Sequence, residues 1–379
     1  MNAVQDITAV IIGDSTNNTL SIIRSLGEAD IKQCLILKCN EDVCFVSKSR
    51  YLKRCDIFQI KNIHECLPIL DDIKKHDSGR RIIICSFDEA AVFIDSHEKE
   101  LSPYFVTPAR GKQIGAIFDK DVQCKLALEC GLIPPKSLTY SRTDNFSDLP
   151  IDYPILLKPR NSIKGEKSDI HICHSWNEVE QALQDESHCK DFVVQEFIDK
   201  EYELDCIGVR TDKEVYIPGA VRKIRHYPPL IGAGAYGLFV PMKELDIDVK
   251  GISLFLEKVG YYGPFSVEFL HKGEKNYFME VNFRNEGLAY AATVAGANLH
   301  ALYVNAQFPI NRNLIRPTYM MNYSLDYLYV KNGEISLGTW IKDFLKTRCF
   351  INFNRKDMAP TIYYYWSKVK RKFGCQTSS

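Results

Sequence analysis

The sequence predicts an α/β domain built on a parallel sheet, then a larger α+β portion, and last a basic, aromatic C-terminal extension. Three observations carry this expectation. Apolar strand runs alternate with helical stretches up to about residue 130, the pattern of parallel strands joined by crossover helices. Beyond the break at Pro134-Pro135, and clearly from Tyr153, the strand runs take on antiparallel character. From Trp340 the composition changes again, with lysine, arginine and aromatic residues gathered together.

In chain order, Thr8-Ala-Val-Ile-Ile12 reads as a buried strand ending in the turn Gly13-Asp14-Ser15. A helix follows through Leu20, Ile23 and Leu26, with Gly27 as its stop. Cys34–Leu37 is a second strand, Ile63–Ile73 a helix, and Arg81–Cys85 another strand. The turn after Ile12 is where a dinucleotide fingerprint would sit, but G-x-G-x-x-G is absent, so it reads as a structural βα turn. Asp119-Lys120 opens a helix that runs to Cys130 and stops at Gly131. Strands are then expected at Ile155–Lys158, Ile170–Cys173, Phe192–Gln195, Leu204–Val209 and Val215–Val221. Helices are expected at Ser175–Leu183 and Glu244–Val259, a hairpin at Phe265–Phe283, and Ala-rich helical sequence to about Gln307.

Composition narrows the function. Among 379 residues, 48 Lys and Arg balance 48 Asp and Glu, with 45% hydrophobic and 25% charged, a globular makeup. Zero net charge argues against a chain-wide nucleic-acid binder. No apolar run is long enough to span a bilayer, and the N-terminal residues lack the basic and apolar regions of a signal peptide. Thirteen cysteines, without a C-x-x-C pair, read as reduced thiols of a cytoplasmic protein.

The most informative stretch is Gly263–Arg284, two strand runs about a polar turn near Gly273. With the turn centred there, Glu268 faces Phe278 and has Glu280 as its diagonal neighbour; Glu268, Glu280 and Asn282 then share one face. A turn centre displaced by half a residue would send Glu268 to the opposite face. Two carboxylates and a carboxamide are hard oxygen ligands suited to Mg²⁺. Upstream, Lys120 begins a helix and Lys158 ends an apolar strand just before Pro159, where an ammonium can reach an anion. Val193–Ile198 leads into Glu201-Tyr-Glu203; the backbone of 196–198 can read an adenine edge and a following carboxylate can accept ribose hydroxyls.

In this order the residues resemble the ATP-grasp superfamily: Asp119-Lys120, Lys158-Pro159, Glu196-Phe197-Ile198 with Glu203, Glu268, and Glu280-Val-Asn282-Phe-Arg284. Lys158-Pro-Arg-Asn-Ser162 resembles most the carboxylate–amine ligase branch, D-aspartate ligases included. The resemblance implies a pre-ATP-grasp domain at residues 1–118, a two-lobed ATP-grasp domain at 119–310, and an extension at 311–379. It implies that Lys120 and Lys158 hold ATP phosphates, that Glu196, Phe197 and Ile198 read adenine, and that Glu203 takes the ribose. Glu268, Glu280 and Asn282 would hold Mg²⁺, with Mn²⁺ as the alternative, and Arg284 would face the transferring phosphoryl group. The implied reaction is ADP-forming: a carboxylate becomes an acyl phosphate and an amine displaces phosphate, an amino acid added to a cell-envelope saccharide or peptide being one form. A carbamoyl-phosphate-synthetase-like enzyme activating bicarbonate and a non-catalytic nucleotide-binding module are the alternatives. A homodimer is compatible with the resemblance.

One stretch departs from the family pattern. The phosphate-covering run Asn161–Asp169 holds a single glycine, Gly165, with Lys164 and Lys167 offering charge in place of backbone amides. On the substrate side, Arg222 and Lys223 are the expected catalytic cations for a carboxylate or acyl phosphate, followed by Arg225, His226 and a flexible Gly232–Gly237 loop. His171 and His174 fall on opposite faces of a strand, which argues against zinc. Residues 340–379 hold nine Lys and Arg against two Asp and Glu, a surplus of seven positive charges that residues 1–339 balance. With nine aromatics beside it, this extension is expected either to cap the body or to touch the inner face of a membrane.

Overall fold

The computed structural model describes residues 7–40, 44–76, 79–110, 114–141, 143–144, 150–159, 170–185, 190–229 and 232–374. Strands β1 (Ile7–Asp14), β2 (Lys32–Lys38), β3 (Asp56–Ile60), β4 (Arg80–Cys85) and β5 (Phe105–Val106) form a wholly parallel sheet in the order β3-β2-β1-β4-β5. Ala9, Val10, Ile11 and Ile12 are all fully buried because helices cover both faces. Ala9 and Ile11 pack with α1 (Asn17–Glu28), whereas Val10 and Ile12 pack with α2 (Cys66–His76) and α3 (Asp88–Ser96); a short α4 (Glu98–Leu101) follows. Gly27 does not stop α1, as the sequence suggested. The helix continues to Glu28, and a Cβ at Gly27 would lie 2.3 Å from the Tyr51 ring, so the glycine serves a close approach.

Helix α5 (Lys120–Glu129) starts where expected, with the Asp119 carboxylate accepting from the amides of Asp121 and Val122. A small antiparallel sheet follows, of β6 (Ser137–Ser141), β7 (Ile155–Pro159), β8 (His171–Cys173) and β9 (Asp191–Glu196) in the order β6-β9-β7-β8, with α6 (Trp176–Asp185). The larger sheet combines β10 (Tyr202–Arg210), β11 (Val215–Tyr227), β12 (Ala233–Pro241), β13 (Gly263–Lys272), β14 (Lys275–Asn282), β15 (Thr318–Met321) and β16 (Cys349–Phe350), in the order β14-β13-β10-β11-β12-β15-β16. The expected loop at Gly232–Gly237 is instead the start of β12. Gly237 is needed there because a Cβ would meet the Arg222 carbonyl at 2.9 Å. The helix expected from Glu244 begins later, as α7 (Val249–Val259), capped by Asp248 on the Gly251 amide; Glu244 belongs to a separate single turn.

Helices α8 (Ala289–Ala295) and α9 (Leu299–Val304) pack against α1 and the large sheet. The C-terminal segment adds α10 (Tyr323–Lys331), α11 (Leu337–Lys346) and α12 (Ala359–Gly374), besides β15 and the edge strand β16. It docks on the N-terminal domain: Tyr364 meets Phe45 edge to face at 5.5 Å, and the fully buried Arg24 of α1 holds Asp357 at 3.1 Å. No described helix is long and apolar enough to cross a membrane.

Candidate active site

A cleft of about 1280 Å³ lies between the small and large sheets, with the C-terminal ends of the parallel strands as its third wall. Its floor is the β13–β14 hairpin. The turn is centred half a residue past Gly273, since Lys272 pairs with Lys275, and this register alone would set Glu268 opposite Met279. A bulge between Glu268 and Phe269 absorbs the difference, so Glu268 stands directly opposite Glu280 and Ser266 opposite Asn282. The sequence expected Glu268 opposite Phe278. The bulge places the three residues on one face by a different register.

Lys120 reaches this floor because α5 is pinned to β14. Buried Gln123 accepts from the Val281 amide at 2.7 Å and donates to its carbonyl at 3.4 Å. The Lys120 ammonium then lies 3.9 Å from the Glu280 carboxylate. Lys158, on β7 of the opposite sheet, is 7% exposed and donates to Gln195 at 2.9 Å. Burial, reinforced by the nearby Lys120 charge, lowers its pKa to about 8. Burial and the neighbouring Glu268 push Glu280 upward.

Beside the hairpin, β10 and β11 supply a buried ion cluster. Lys223 lies 3.1 Å from both Glu203 and Asp205 and 3.6 Å from Glu268. Burial opposes its charge, but Asp205, Glu268 and Glu203 hold it firmly protonated. Asp205 is pushed up by burial and, against the pull of Lys223, by Glu268 and Glu286. Glu203 goes the other way: despite burial, its hydrogen bond with His226 and the charges of Lys223 and Lys200 keep it well below the usual carboxylate range. Alternation along β11 sends Arg222 to the opposite face, where it is exposed over the Tyr202 ring. The structure therefore does not bring Arg222 to the cleft with Lys223. Arg225 is also committed elsewhere, to Asp326 and Asp343.

Phe197, Ile198 and Glu203 line the cleft, while the Glu196 carboxylate turns to the Lys136 amide at 3.2 Å. The Phe197 amide is spent on the Pro154 carbonyl. Arg284 lines the floor, held by Asp88 at 2.9 Å, Glu286 at 3.1 Å and the Asn282 carboxamide oxygen at 3.1 Å. The run Asn161–Asp169 lies outside the described residues.

Two acids were not singled out from sequence. Oxygens of Asp205, Glu268 and Glu286 lie within 4.8 Å of one another, an all-oxygen set that fits a hard divalent cation. The Asn282 Nδ2 donates to Glu268 and Glu286, joining this set to the hairpin. Asp205 was legible as the residue two beyond Glu203 on the same strand face. Glu286 follows the strand in a loop, where no periodicity marks it. Asn285 fastens that loop to α1, donating to the Asn18 carbonyl and to Ser21, both at 2.7 Å.

Comparison with known proteins agrees with this arrangement. The chain is 23% identical over 353 residues to a D-aspartate ligase of Enterococcus faecium, covering 86% of this chain and 82% of that one. The N5-carboxyaminoimidazole synthetase of Staphylococcus aureus, solved with ADP, superposes with a TM-score of 0.63 at 16% identity, covering 86% of each chain. An L-amino acid ligase of Bacillus licheniformis gives 0.61 at 16% identity, over 82% and 78%. No family model matches the sequence. The chain has an ATP-grasp-like fold. Two sheets facing across a cleft, behind a parallel-sheet domain, are the fold that the sequence predicted for it. In this fold Lys120 and Lys158 come from α5 and the small sheet, the acids from the large one, and the third wall from α1 and α3.

Proposed function

We propose that the protein is an ADP-forming ligase that activates a carboxylate with ATP and joins it to an amine. The observation that carries this reading is the convergence of Lys120, Lys158, Arg284 and the oxygens of Glu268 and Glu280 on one cleft wall to wall. Phosphoryl transfer asks a protein chiefly for positioning and for cations around the phosphates, which this set supplies. Adenine would lie between the sheets, in the apolar slot of Leu156, Ile172, Ile198, Leu270 and Met279, with Glu203 accepting the ribose hydroxyls. Lys120 and Lys158 would take the phosphate oxygens. A divalent metal, held by Glu268, Glu280 and Asn282 with Asp205 and Glu286 nearby, would supply charge neutralisation there.

A carboxylate oxygen then attacks the γ-phosphorus, ADP leaves, and the acyl phosphate forms beside Arg284. The amine attacks the acyl carbon, loses a proton, and expels phosphate. Burial opposes the charge of the Arg284 guanidinium, but Glu286 and Asp88 outweigh it and keep the group protonated through this sequence. The similarity to D-aspartate and L-amino acid ligases favours an amino acid as one of the two joined partners; the other partner in this reading is a cell-envelope saccharide or peptide. An ADP-release screen over carboxylates paired with amines tests the reading. ADP release that requires both partners is expected. Release on bicarbonate alone would make the enzyme a bicarbonate activator, and binding of Mg·ATP without turnover on any pair would reduce it to a nucleotide-binding module.

A further inference from the structure

We propose that the outward face of helices α10 to α12 is a docking surface for an anionic lipid bilayer, a reading that does not depend on the ligase reaction. Helix α10 is in ring contact with both of the other helices. Tyr327 of α10 meets Trp340 of α11 at 5.4 Å, and Tyr323 of α10 meets Tyr365 of α12 at 6.2 Å. Helix α11 turns Trp340, Asp343, Phe344 and Thr347 inward, and leaves Leu337, Ile341 and Leu345 as an exposed stripe, Leu345 at 78%. Helix α12 does the same with Ile362, Trp366 and Val369, each more than half exposed. Scattered exposed apolar residues are ordinary, but an apolar stripe on each of two helices that both pack on α10 is not.

Charge decides the occupant. Between Tyr323 and Lys370 there are four acids, and three of them point into the body. Asp326 and Asp343 are held by Arg225, and Asp357 by Arg24. The eight lysines and arginines of the same segment are all exposed. Lys342 and Lys346 flank the α11 stripe, while Lys370 lies over the Trp366 ring at 5.3 Å. The inward pairing strips negative charge from the outer surface, which leaves apolar stripes bordered by cations with interfacial Trp and Tyr beside them. That is the chemistry of an amphipathic element lying in an anionic membrane interface. A second copy of this chain would set the same cations against one another, an unfavourable pairing for a two-fold interface.

Flotation of the full chain with vesicles, about one-third phosphatidylglycerol in phosphatidylcholine against phosphatidylcholine alone, tests the proposal. Binding to the anionic vesicles at least about tenfold above the neutral ones is expected, weakening as salt rises. Leu345→Glu and Trp366→Glu should each remove most of that binding while thermal melting and Mg·ATP binding stay as in the parent. Equal partition on both vesicle types, or undiminished binding by both variants, would overturn the proposal. So would a concentration-dependent dimer, seen by sedimentation, that the same two substitutions dissociate.

Discussion

Replacing Lys223 with methionine tests the buried ion cluster directly. The ammonium is 8% exposed and within 3.1 to 3.6 Å of Glu203, Asp205 and Glu268, so its removal leaves carboxylates crowded around an apolar side chain. Breaking a buried ion pair by deleting one partner costs about 3–5 kcal/mol. Glu268 retains some contact with solvent, and Glu203 keeps His226 and Lys200, which favours the lower end of that range. At roughly 2 °C per kcal/mol for a large domain, Tm should fall by roughly 6 °C or more near pH 8. The deficit should depend on pH with a definite sign. Without the cation, Asp205, pushed up by burial and by the Glu268 and Glu286 charges, holds its proton more tightly folded than unfolded, so the loss is largest at high pH and shrinks as pH falls through its raised folded pKa. Mg²⁺ should restore part of the deficit by entering the same oxygens. Thermal melting across the pH range, with and without Mg²⁺, makes the measurement. A Tm within about 1 °C of the parent near pH 8, or a deficit indifferent to pH, would refute the cluster as described.

Three further outcomes are expected. Lys158, with its pKa lowered to about 8, should lose its ammonium as pH rises through that value. Apparent ATP affinity should then fall up to about fivefold from pH 8 to 9, whereas Lys158→Arg should flatten the profile, as equilibrium nucleotide binding would show. Glu280→Gln should lower ADP release by about a hundredfold or more while the fold melts normally; retained turnover would sink the metal assignment. Arg24→Leu leaves the buried Asp357 with only Ser49, the Arg50 amide and no cation, and should cost about 3 kcal/mol in urea unfolding. The double change of Arg24 and Asp357 to leucine should cost less than the single one, because no uncompensated charge remains.

Local rules made the strands and the motif order legible, and long-range packing decided the rest. Buried apolar runs announced β1, β2 and β4, and Asp119 marked the start of α5 through a cap that sequence can show. The hairpin was legible as two strands, but its register was not. A turn displaced by half a residue and a bulge of one residue cancel in their effect on facing, and neither has a residue-level signature here. Gly27 and the Gly232–Gly237 run were misjudged for one reason: glycine was read as a breaker where the neighbour across, Tyr51 or the Arg222 backbone, demanded a missing side chain. Arg222 and Lys223 were named together as cations, yet strand alternation can bring only one of two adjacent residues to a cleft.

Helix α1 couples the extension to the site geometrically. Its first turn carries Asn18, whose side-chain oxygen accepts from the Gly287 amide at 2.8 Å and whose carbonyl accepts from Asn285, so it anchors the loop that presents Glu286 to the acids. Two turns later the same helix carries Arg24, held by Asp357 and by the Ile351 carbonyl at 2.8 Å. A rigid helix of 12 residues cannot shift at one of these points without shifting at the other. The extension thus helps to set the position of the third wall of the cleft, and cutting it away should disturb the acids before it disturbs the lysines. Arg24→Leu distinguishes this from a purely global effect. If α1 positions the acids, the apparent Mg²⁺ requirement should rise at temperatures where the variant remains folded; an unchanged requirement would leave the ion pair a matter of stability alone.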